Sequence, residues 1–122
     1  YQDYTIRAKV SEAASLAGAA RTAVDVYFSE TGTLKMPGSG VDAHHTSLGL
    51  SKSTSYRAKY VSTVEVGDRG QVTVTLRNLD ELPENTARGK KVIYSPRNNV
   101  GNLEWVITKG TDSVADKYLP RR

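Results

Sequence analysis

The chain has 122 residues, a net charge of +4, 38% hydrophobic and 25% charged residues, and no cysteine. That length supports one hydrophobic core and so one domain, and its supply of Val, Leu, Ile and Tyr is too rich for a disordered chain. Without cysteine there is no disulfide framework, cysteine zinc site or thiol nucleophile, and no apolar run approaches the ~20 residues of a membrane helix.

Residues 1–31 predict one long helix. Ile6, Val10, Ala13, Ala17, Ala20, Val24 and Tyr27 step by alternating fours and threes, which lays a single apolar stripe along a helical rod. Seven alanines support helix propensity, and Gly32 is placed to end the helix in the left-handed conformation. An alanine stripe buries only one methyl per residue, so it gains little per contact but allows close approach to a sheet or to other helices.

Residues 32–59 are rich in Gly, Ser and Thr, with Pro37-Gly38 near their start. They predict a long surface connection holding at most a short helical turn or strand. From Tyr60 the period becomes two. YVSTVEV (60–66) and QVTVTLR (71–77) read as strands joined at GDRG (67–70). Ser62, Val64 and Val66 fall on one face, as do Val72, Val74 and Leu76. NLDELPENTARG (78–89) is a polar loop, KKVIYS (90–95) a third strand and NLEWVI (102–107) a fourth, with PRNNVG between them. Residues 108–122 are irregular, with Tyr118-Leu119 as their apolar anchor. The expected fold is α+β, one domain over 1–122: a helix (1–31), an αβ-loop (32–59), an antiparallel four-stranded sheet (60–107) and a C-terminal tail (108–122).

Little in this pattern points to catalysis. His44-His45 lacks the further ligands of a metal site and reads as a solvated loop pair. No nucleophile elbow, catalytic serine signature or phosphate-binding glycine pattern occurs, so neither an enzyme nor a cofactor is expected. The cations fall in small groups, and Arg88, Lys90, Lys91, Arg121 and Arg122 are the candidate anion or DNA contacts. Most such charges form a solvated face.

The opening residues carry a resemblance. YQDYTIRAKVSEAASLAGAARTAVDVYFSETG closely resembles the post-membrane half of the N-terminal helix of bacterial type IV pilins. Tyr1, Asp3, Tyr4, Arg7, Lys9, Val10 and Glu12 match the family's pattern. TVEVGDRGQVTVTLRN is similar to its first hairpin, GKKVIYSP to its third strand, and NLEWVI with KYLP-x-R to its terminal region. The resemblance implies a long helix packed on a four-stranded sheet, and a type IVa major pilin headgroup lacking the apolar span that precedes it in the family. It implies a structural filament subunit rather than an enzyme, acting in adhesion, twitching motility and DNA uptake. The implied partners are other pilin subunits, the pilus assembly machinery, host or abiotic surfaces, and DNA. The implied location is extracellular, from a precursor in the inner membrane. A minor pilin or type II secretion pseudopilin is the alternative on the same fold, and a basic nucleic-acid-binding surface protein the alternative of another class. Tyr1, Tyr4, Ile6, Val10, Ala13 and Ala17 are the expected filament-packing residues. The two cysteines usual in this family's C-terminal region are absent, so Tyr118 and Leu119 are expected to hold the tail by packing.

Overall fold

A computed structural model of the chain describes residues 2–36, 38–56, 58–79, 82–83, 86–110 and 112–119, with the side chains of residues 2, 3, 56 and 116 left undescribed. The expected α+β architecture is present. The N-terminal helix runs as α1 (Gln2–Ala14), a 3₁₀ turn (Ser15–Ala17) and α2 (Gly18–Thr31). Backbone angles stay right-handed helical through this junction, from Ala14 at φ −64°, ψ −24° to Gly18 at φ −55°, ψ −48°. The junction therefore tightens the helix without breaking it. Gly32 closes the helix at φ 74°, its N–H donating to the Phe28 carbonyl at 2.8 Å, the left-handed cap expected of a glycine there.

Strands β1 (Val61–Val66), β2 (Val72–Leu76), β3 (Lys91–Asn99) and β4 (Asn102–Thr108) form one antiparallel sheet in sequence order. The helix stripe lies on one face of it. Ile6, Val10, Ala13, Ala17, Ala20 and Val24 are buried with Val64, Val66, Val72, Val74, Leu76, Val92 and Tyr94. Alternation of two fills this face, because successive strand side chains point to opposite sides.

Two strand details differ from the sequence expectation. The β1–β2 register shifts between Val61 and Thr63, so fully buried Val61 fills the core where Ser62 was expected and Ser62 is half-buried. Strand β3 also runs on through Pro96 to Asn99, where a connection was expected. A proline is tolerated there because β2 pairing ends at Val72 opposite Tyr94, leaving no ladder partner on that side of Pro96.

The αβ-loop departs furthest from expectation. Val41–Leu48 forms a two-turn helix, α3, capped by Gly49 at φ 76°, and Ser53–Tyr56 adds a 3₁₀ turn. The tail returns to the sheet: Ser113 bridges Lys91 in parallel, and a 3₁₀ turn at Asp116–Tyr118 packs beside α1.

Candidate functional site

The N-terminal helix divides its surface between two tasks. Ile6, Val10, Ala13 and Ala17 are at most 5% exposed, and they face the chain's own sheet. Tyr4, on the opposite side, is 75% exposed, and Tyr1 lies outside the described residues. Sequence reasoning placed these six together; the structure separates Tyr4 from the buried four. The outward side instead presents Tyr4, Ala8, Ser11, Ser15, Ala19, Thr22 and Val26, all exposed and again spaced by threes and fours. Arg21 and Asp25 on α2 bind the sheet's far half. The Arg21 guanidinium lies 4.5 Å from the Tyr94 ring centroid, and Trp105 Nε1–H donates to Asp25 Oδ1 at 3.0 Å. Burial pushes the Tyr94 hydroxyl pKa up from its ordinary value, and the Arg21 charge draws it back in part.

The histidine pair is not a solvated loop feature. His44 and His45 lie in α3 and are each 1% exposed. His45 Nε2 accepts the Val66 backbone N–H at 3.0 Å, and its Nδ1 stands 2.7 Å from the Ser51 carbonyl. That pairing requires the proton on Nδ1, so the ring clasps the αβ-loop to strand β1 as a neutral tautomer. His44 Nε2 meets Asp68 Oδ1 at 2.7 Å in the β1–β2 turn. Flanking Gly and Ser hid the helix in the sequence. The signal was the spacing of Val41, His44, His45 and Leu48, which is helical once the histidines are counted as core. Among the described residues no three His, Cys, Asp or Glu are grouped to hold a metal.

The candidate basic contacts do not make one free patch. Arg88 turns inward, its Nε–H donating to the carbonyls of Leu79 at 2.9 Å and Leu82 at 3.0 Å. Lys90 pairs with Asp112 at 3.6 Å, and Lys91 is half-buried between β2 and the tail. Arg121 and Arg122 lie outside the described residues. In the tail, Tyr118 is 4% exposed, Leu119 is half-buried against the core, and the Arg7 Nε–H donates to the Lys117 carbonyl at 2.9 Å. No described helix is long and apolar enough to cross a membrane.

A helical spine seated on an antiparallel sheet, its inward side buried and its outward side exposed, defines a helix-backed α+β domain. The chain belongs to the pilin family: the model of that family, a bacterial filament protein, matches residues 6–122. It is 37% identical over 105 residues to a fimbrial protein of Neisseria meningitidis serogroup A, covering 86% of this chain and 56% of that protein. A type IV major pilin, PilE1, of Neisseria gonorrhoeae is 38% identical over 122 residues, covering 95% of this chain and 68% of the relative. The fimbrial protein EcpC of Eikenella corrodens is 30% identical over 123 residues, 98% of this chain and 71% of its own. The chain thus spans little more than half the length of the meningococcal relative.

Proposed function

We propose that this chain is part of a structural subunit of a type IV pilus, which polymerises into an extracellular filament. The observation that carries the reading is the outward helix stripe from Tyr4 to Val26, exposed throughout and small at Ala8, Ser11, Ser15 and Ala19. Side chains of that size let another helix approach closely, and the chain's own fold leaves the stripe uncovered. Family membership supports the same assignment. In this reading the subunit is drawn by the assembly machinery from a precursor in the inner membrane. The filament then serves attachment to host or abiotic surfaces, twitching motility and DNA uptake.

Ala19→Arg in the whole gene product tests it. Ala19 is exposed, so the headgroup should keep its stability to within ~0.5 kcal/mol. Surface filaments, counted by electron microscopy, should be lost. Normal piliation with Ala19→Arg would overturn the assignment of this face to subunit packing.

A further inference from the structure

A half-open cleft lies beside the end of the helix, between the start of the αβ-loop and the β1–β2 turn. It has a volume of about 720 Å³ and is lined by Thr33, Leu34, Lys35, Asp68, Arg69 and Pro96. Two chain segments meet there, the start of the αβ-loop and the β1–β2 turn, and they are bonded to each other. The Met36 N–H donates to the Asp68 carbonyl at 2.8 Å, and the Tyr27 hydroxyl donates to the Lys35 carbonyl at 3.1 Å. On the turn side, the Arg69 N–H donates to Gln71 Oε1 at 3.1 Å. Gly70, at φ 80°, adopts a conformation that favours glycine and lies under the cleft, tight against Val24. A Cβ there would lie 3.5 Å from both Leu34 and Pro96 and 3.1 Å from Val24. The walls are held before any ligand arrives, which lowers the ordering cost of binding.

The chemistry of the lining is mixed in a specific way. Lys35 and Arg69 are exposed, and among the described residues neither side chain makes an ion pair or hydrogen bond. Asp68 shares the lining with them, its side chain 86% exposed and its Oδ1 held by His44 at 2.7 Å. A carboxylate so held still has lone pairs for hydroxyl donors. Leu34 and Pro96 supply an apolar floor. Two cations call for an anionic group, and Asp68 calls for hydroxyls while opposing a polyanion such as a nucleic acid backbone. Leu34 and Pro96 suit the C–H face of a ring.

We propose that this cleft binds an acidic carbohydrate, a pyranose that carries a carboxylate. The carboxylate lies against Lys35 and Arg69, ring hydroxyls donate to Asp68, and the C–H face rests on Leu34 and Pro96. Binding of this kind belongs to the single subunit, so it stands or falls apart from filament assembly.

The test is a titration of the ¹⁵N-labelled chain with D-glucuronate, read by amide chemical shifts, with D-glucose, acetate and inorganic phosphate as comparison ligands. Glucuronate should shift amides of residues 33–36 and 68–70 in a saturable way, more weakly as salt rises. Lys35→Gln with Arg69→Gln, both at exposed sites, should weaken it roughly tenfold or more while leaving the other amides in place. Asp68→Asn should weaken glucuronate binding but not acetate binding. The proposal is overturned if glucuronate shifts nothing in the cleft, or if the double variant binds as well. It is equally overturned if glucose titrates alike, which removes the acid requirement. Phosphate or acetate matching glucuronate would mark the cleft as an anion site and sink the carbohydrate assignment.

Discussion

Val100 sits at φ 52° and is 95% exposed, at the tip of the β3–β4 hairpin. Asn99 pairs with Asn102, so Val100 and Gly101 (φ 86°) form a two-residue loop in which both φ values are positive. Such loops match the twist of the flanking strands and favour Asn-Gly. A β-branched residue there bears a left-handed penalty of ~1–2 kcal/mol and recovers nothing by burial. Val100→Asn should therefore raise stability by about 1 kcal/mol, seen as a higher denaturant midpoint with an unchanged slope. A lower midpoint would show that the valine makes a stabilising contact at the tip. Tyr94 makes a prediction of another kind. Burial raises its pKa above the ordinary value of 10.0, so the folded state holds the phenolic proton more tightly than the unfolded chain. That contribution is complete below pH ~10 and is lost as pH rises through the folded value. Tyr94→Phe should then narrow its stability deficit, or gain on the parent, as pH rises past ~10 in parallel denaturation series. A pH-independent difference would place the hydroxyl in water.

Elements were legible in proportion to how regularly their cores repeat. The helix stripe from Ile6 to Val24 could be read because each contact is apolar and spaced by the helical turn, and the β1–β2 turn because glycine supplies positive φ at Gly70. Helix α3 was hidden because its buried face is half histidine, and imidazole counts as polar in any hydropathy pattern. Ser62 was misplaced for a different reason: one extra residue in β1 changes the parity of every position before it, and side-chain alternation alone does not mark a bulge. The split of the helix surface into an inward Ala13 and an outward Ala19 follows from spacing alone and not from residue type, since both are alanine. For α3 the consequence is measurable. His45→Ala removes the acceptor for the Val66 N–H and the donor to Ser51, leaving a buried backbone group unpaired at a cost of ~1–3 kcal/mol. Native-state hydrogen exchange should speed up at residues 41–50 and at Val66 while the Val74 amide stays slow. If all amides accelerate equally, the loop is part of the global folding unit and the histidine is not a local clasp.

At the scale of the whole molecule the question is what replaces a covalent staple in a tail without cysteine. The tail is held at three levels. Backbone bonds join Lys91 N–H to the Asp112 carbonyl at 2.8 Å, Val114 N–H to the Lys91 carbonyl at 2.9 Å, and Ala115 N–H to the Thr86 carbonyl at 2.9 Å. Val114 is fully buried and Tyr118 nearly so. The Arg7 side chain then ties the Lys117 carbonyl to α1, so the two ends of the described chain close on each other. A family disulfide would act mainly by restricting the unfolded chain, by ~2–4 kcal/mol. The buried groups available to stand in for it are Val114 and Tyr118. Tyr118 is the larger and more deeply buried of the two tail anchors, whereas Leu119 is only half-covered. Tyr118→Ala should therefore cost about 3 kcal/mol, lowering the melting temperature of the entire domain because the core beneath α1 is opened. Leu119→Ala should cost about 1 kcal/mol and should chiefly raise exchange at residues 112–119. Melting curves and hydrogen exchange on both variants decide the matter. If Leu119→Ala lowers stability as much as Tyr118→Ala, the tail is held as one cooperative piece. If neither lowers it, the backbone bridge to Lys91 alone retains the tail, and packing is not the substitute for the missing bond.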